Sequence, residues 1–258
     1  MAPPSSAAAS KDHGAPAVTR AVAVLRLLAR SDEPLGVNAI AKALGLAPST
    51  CLHILRALAA ETLVRADSAS KLYTLDAGIL PLAQRLMQRD DFSRRVGAYL
   101  DDIAAGFGVT AVGVRVAGLR QMVVLALSQP PAVFRLQVDI GSHFPSLISA
   151  TGRCYAAFGG AAPGELRRAF VRLKWDDPPG YEEWMSEVAE ARRTGFSVDA
   201  GRYIRGITIV AAPVFDRDGV MSHGLATIGL GAQIQDGEVA EIGEALKTAG
   251  EALSLGRP

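Results

Sequence analysis

Ser49, Thr50, His53 and Arg56 stand at spacings that place small hydroxyls, an imidazole and a guanidinium along one stretch of helix, away from Cys51, Leu55 and Leu58. Such groups donate to phosphate oxygens and to base edges in a DNA major groove. Pro48 suits the first helical position, where its missing N–H costs nothing. Asn38 lies at the start of the preceding helical stretch. Arg65, Lys71 and Tyr73 flank the polar turn DSAS farther along, where they could reach the phosphate backbone without reading sequence. A plainer reading stays open: a solvated helix face, with Ser49 and Thr50 satisfying first-turn N–H groups.

Other chemistries lack their residues. His13, His53, His143 and His223 show no H-E-x-x-H or comparable spacing, and Cys51 and Cys154 have no C-x-x-C partner, so no metal site, disulfide framework or cofactor is expected. No G-x-S-x-G elbow or G-x-x-x-x-G-K-[ST] loop occurs, and GFGVTAVG runs into a strand, so the chain is not expected to be an enzyme.

The elements that must position these residues follow from periodicity. Val22, Leu25 and Leu28 mark a helix over Val18–Arg30, VNAIAKAL a second, and Pro48 opens a third after the turn GLAP. LVRADSASKLYTL reads as a β-hairpin, the wing of a winged helix-turn-helix. A linker helix is expected over 77–90 and another over DFSRRVGAYLDDIAAGFG, with the domain boundary near Asp90. Beyond it TAVGVRVAG, QMVVLALS, AVFRLQVDI, ITIVAAPVF and GVMSHGLATIGL read as strands. ATGRCYAAF, GELRRAFVRL, EEWMSEVAEARRTG and DGEVAEIGEALKTAGEAL read as helices. The expected class is α+β: a winged helix-turn-helix (17–76), a linker helix (77–91), and an effector-binding domain (92–258) with a mostly antiparallel sheet flanked by helices. Residues 1–16 are expected to be a disordered tail.

At 258 residues, with 49% hydrophobic and 21% charged side chains, the chain can build two soluble cores. Residues 1–75 carry eight Lys and Arg against five Asp and Glu, a basic excess that suits a DNA-facing N-terminus but is too small to prove one. The opening MAPPSSAAASKDHGAP lacks the apolar run of a signal peptide, and no stretch reaches the ~20 apolar residues of a membrane span, so a soluble cytoplasmic protein is expected.

The phrases AVTRAVAVLRLLA, VNAIAKALGLAPST, LVRAD and LYTL, then GSHFPSLISATGRCYAAF and GFSVDAGRYIRGITIVAAPVFDRDG, resemble in order those of the IclR family of regulators, from about Val18 onward. The resemblance implies a winged helix-turn-helix that holds double-stranded operator DNA and a GAF-like domain that binds a small organic effector, often a carboxylate. It also implies a homodimer or homotetramer and an allosteric link between the two domains. His53 stands where the family often has Arg, and Arg202 near a place the family commonly fills with an acid. The family's pocket positions carry over to Ala150, Thr151 and Gly152, where a helix N-terminus can accept a carboxylate. They continue to Asp199, to Ile207 and Ile209, and to Ala226 and Ile228. Cys154 either touches effector or packs, and Asp199 either binds effector or caps a turn. The apolar strand positions suit an effector with an apolar or aromatic body. The alternative is a small-molecule sensor that no longer binds DNA.

Overall fold

A computed structural model describes residues 15–89, 91–130, 138–234 and 236–255, and the chain divides into two compact units, 1–89 and 90–258. Of the tail expected over 1–16, residues 1–14 lie outside the described residues and Pro16 already belongs to a helix; of the expected strand AVFRLQVDI, 132–140, residues 132–137 lie outside them. Val138–Ile140, the end of that strand, is irregular chain leading into a turn.

In the first unit, helix α1 (Pro16–Ala29) starts on Pro16 and buries Val24 and Leu28. Helix α2 (Val37–Leu44) stops at Gly45, whose φ of 63° is the left-handed conformation a glycine takes without strain. The Leu46 N–H returns to the Ala41 carbonyl at 2.9 Å, closing the turn into helix α3 (Pro48–Ala60). Strands β2 (Val64–Ala66) and β3 (Leu72–Leu75) form the wing. A third strand, β1 (Leu35–Gly36), falls where only a turn is expected and pairs antiparallel with β3, giving the order β1-β3-β2. Val24, Ile40, Cys51, Leu55 and Val64 are almost wholly enclosed in the core these elements share.

The linker differs from the single helix expected. A 3-10 turn, Ala77–Ile79, opens when the Asp76 carboxylate accepts the Ala77 N–H at 2.8 Å, and helix α4 (Leu80–Arg89) starts afresh. Pro81 is the reason: without an N–H it cannot bond back to the Ala77 carbonyl, so an unbroken α-helix from Ala77 would lose a bond.

The second unit is built on a six-stranded antiparallel sheet, order β6-β5-β4-β9-β8-β7. Its strands are β4 (Thr110–Ala117), β5 (Gln121–Ser128), β6 (His143–Phe144), β7 (Ser197–Ala200), β8 (Ile207–Phe215) and β9 (Met221–Leu230). The edge strands β6 and β7 are additions to the sequence reading. Helices α5 (Asp91–Phe107) and α9 (Asp236–Leu253) cover one face, enclosing Val96, Leu100, Val210, Ala212, Leu225 and Leu246. Helices α6 (Ser149–Phe158), α7 (Pro163–Phe170) and α8 (Tyr181–Thr194) supply the other, with Ile207, Ile209, Ala211 and Ala226 beneath them. Strand β8 is buried along its whole length, its alternate residues serving the two cores. Among the described residues no single helix is long and apolar enough to cross a membrane.

Candidate functional site

Helix α3 separates its two faces cleanly. Cys51, Leu55 and Leu58 are buried, whereas Pro48, Ser49, His53 and Arg56 are exposed and Thr50 is half-buried. Asn38 is exposed on α2. No side chain caps the start of α3, so neither Ser49 nor Thr50 is occupied in that way. On the wing, the Asp67 carboxylate accepts the Ala69 N–H, the Ser70 N–H and the Ser70 hydroxyl at 2.6–3.1 Å. Those bonds, Ser70's first, hold its carboxyl below the usual carboxylate range. Arg65 and Lys71 are exposed around this turn.

Tyr73 corrects the sequence reading. Its ring is buried in the core with 9% exposure, because β3 is the middle strand of three and Tyr73 faces inward between Leu35 and Ala66. A phosphate-reaching role does not fit that position.

The second constellation surrounds α6, nine of whose ten residues are buried. The chain enters the helix tightly: a Cβ on Gly152 would lie 2.0 Å from the Leu147 carbonyl carbon, so no other residue fits there. Ser149 holds φ of 59°, a strained value for a side chain with a Cβ, and its buried hydroxyl has no partner among the described residues. The helix start lacks a side-chain cap, leaving first-turn N–H groups without one. Ala150 and Cys154 are fully buried and Thr151 nearly so. Ile207 and Ile209 on β8, and Ala226 and Ile228 on β9, share the sheet face under α6. The carried-over positions therefore converge on one layer.

Cys154 is engaged in packing, its Sγ donating to the Ala211 carbonyl at 3.3 Å. Burial pushes its thiol up to about 12, so it is no nucleophile at neutral pH. Asp199 does cap a turn, accepting the N–H groups of Arg202 and Tyr203 at 3.0 and 3.1 Å. Its other oxygen takes a bond the sequence reading missed: Arg153 Nη1 donates to it at 3.0 Å, while Arg153 Nε donates to Glu187 at 2.5 Å. Arg153 is 1% exposed, its guanidinium 5.7 Å from the Trp175 ring centre. Arg202 extends the network to Glu183 and Glu187 on α8. The one signal for Arg153 was a charge inside a run of small and aromatic residues. Burial pushes the Tyr203 phenol up, helped by Asp176 and Asp199.

Comparison with known proteins covers both units. A family model for the IclR helix-turn-helix domain matches residues 17–68, and one described as bacterial transcriptional regulator IclR C-terminal matches residues 84–255. The glycerol operon regulatory protein of Streptomyces coelicolor is 33% identical over 204 residues, 77% of this chain and 78% of that one. The crystal structure of an IclR transcriptional regulator from Alicyclobacillus acidocaldarius superposes with a TM-score of 0.78 at 30% identity, covering 93% of this chain and 97% of that one. An IclR homologue from Microbacterium hydrocarbonoxydans, solved with 4-hydroxybenzoate, shares the fold at a TM-score of 0.72 and 16% identity, over 92% and 98% of the two chains.

Proposed function

This chain belongs to the IclR family of bacterial transcriptional regulators, and from that premise we propose which of its residues hold DNA and which hold the effector. It is a DNA-binding regulator with a ligand-binding C-terminal domain. In our reading α3 enters the major groove with Ser49, Thr50, His53 and Arg56, helped by Pro48 and by Asn38 on α2. Arg65 and Lys71 hold phosphates from the wing. The observation that carries this reading is the polar, uncapped, exposed face of α3 opposite a fully buried one. Leu80 and Leu82, each 67% exposed on α4, and Val18, 63% exposed on α1, supply apolar surface for pairing two chains across a palindromic operator.

The effector site is the layer between α6 and the sheet, with Ala150, Thr151, Gly152, Ile207, Ile209, Ala226 and Ile228 around it. Asp199 and Cys154 shape the layer from positions already bonded within the protein. A carboxylate at the start of α6 would meet the uncapped N–H groups and the unpartnered Ser149 hydroxyl. The apolar strand positions favour a ligand with an aromatic body, as in the Microbacterium homologue. The protein acts by binding rather than by catalysis, in the cytoplasm where its operator lies.

The test is a titration of protein into the duplex upstream of its own gene, beside a scrambled duplex, at several salt concentrations. Specific binding is expected to exceed scrambled binding by ~10³ or more and to weaken with salt as counterions are released. Equal, weak binding to both, repeated across the neighbouring promoters, would overturn the DNA-reading role.

A further inference from the structure

Trp175 and Trp184 are the chain's two tryptophans, and both indole N–H groups are buried without a partner among the described residues. A buried indole N–H ordinarily finds an acceptor. Two orphaned donors in one cluster therefore call for a missing acceptor. Both pack against Phe170, whose ring centre is 5.0 Å from that of Trp184 and 6.4 Å from that of Trp175. Tyr181 packs on Trp184 at 6.0 Å, Tyr203 on Trp175 at 6.5 Å, and Arg153 stands against Trp175.

The register of α6 against α8 fixes where Trp184 falls. Glu187 meets Arg153, and Arg192 donates to the Ala157 carbonyl, so the two helices run parallel. Trp184 is three residues before Glu187, which at ~1.5 Å per residue sets it about one turn back, level with Ser149 and Ala150. On that register the Trp184 backbone lies level with the start of α6, where the N–H groups are uncapped and the Ser149 hydroxyl is unpartnered among the described residues.

We propose that Trp175 and Trp184 are the specificity-determining donors of the effector site, and that their N–H groups take oxygen acceptors of a planar aromatic acid. This rests on the effector reading of α6 given above and adds the groups that choose the ligand. The chemistry selects the class. An apolar ligand would leave both donors orphaned, and a polyol would make no use of the surrounding rings.

Because both tryptophans lie in the cluster, their emission reports on it directly. The full-length protein is titrated with 4-hydroxybenzoate, benzoate, cyclohexanecarboxylate and glycerol, following indole emission excited at its red edge and heat by calorimetry. The aromatic acids are expected to bind and shift the emission saturably. Trp175→Phe and Trp184→Phe are each expected to weaken effector binding on the order of tenfold, the loss of one hydrogen bond. Replacing each tryptophan by benzothienylalanine keeps the ring and removes only the N–H, so it should show the same loss without a change in melting temperature. Unchanged affinity in both benzothienyl variants, or unchanged emission at calorimetric saturation, would overturn the assignment while leaving the effector site standing. Equal or tighter binding of glycerol or cyclohexanecarboxylate would overturn the aromatic class. Operator affinity indifferent to every compound, with no heat from any, would overturn the effector reading as well.

Discussion

Lys71 occupies backbone space that side chains with a Cβ avoid, with φ of 58°, in a turn held by the Asp67 carboxylate and closed by the Lys71 N–H on the Asp67 carbonyl at 3.0 Å. Glycine would sit there without strain, and the proposed phosphate contact gives a reason for a lysine in its place. Lys71→Gly is expected to stabilise the first unit by about 1 kcal/mol while weakening operator binding. The slope of log affinity against log salt should become shallower by about 0.9, one phosphate contact. Thermal melts and salt-series titrations of the two proteins check both halves. A lower melting temperature with unchanged slope would assign the lysine to the turn instead.

At the scale of elements, α6 depends on one charge. Arg153 ties it to β7 through Asp199 and to α8 through Glu187, and Asp199 is itself fully buried. Arg153→Met would leave that carboxylate without its cation, and removing one partner of a buried pair costs about 3–5 kcal/mol. Urea denaturation of the second unit is expected to show a loss of that size. A loss below about 1 kcal/mol, the worth of a surface pair, would mean that solvent reaches the network. The sequence could not announce this tie, because Arg153 finds Glu187 and Asp199 across separations of 34 and 46 residues. By contrast α2, its turn and α3 were legible, since Gly45, Pro48 and the spacing of Cys51, Leu55 and Leu58 are local signals. The edge strands β1, β6 and β7 span two to four residues and take their identity from a neighbouring strand, a fact no short window contains. Tyr73 was misplaced for the same reason: in a four-residue strand the inward face is set by pairing with β1 and β2, not by alternation. That Ala150, Ile207, Ile209, Ala226 and Ile228 share one layer was readable through family likeness; the proposed indole donors had no such signal, because tryptophan on an apolar stripe reads as core.

For the whole molecule, the proposed regulation has a thermodynamic signature independent of any pathway between the sites. If effector changes operator affinity by some factor, operator must change effector affinity by the same factor, and the usual range is about 5–150-fold. Calorimetric titration of effector into free protein and into the protein–operator complex should return the ratio found from operator binding with and without effector. Unequal ratios would reveal a further equilibrium, such as a change of oligomer. The arrangement of the second unit also constrains how that work is done. Its first helix, α5, lies on the α9 side of the sheet, while the effector layer lies on the α6 side. A ligand at the proposed site and α5 would thus lie on opposite faces of one sheet. Strand β8 is in contact with both sides at once, Ile209 and Ala211 turned one way and Val210 and Ala212 the other. On the proposed reading, a ligand on the α6 side would act on α5 through β8, the strand whose alternate residues pack on both faces.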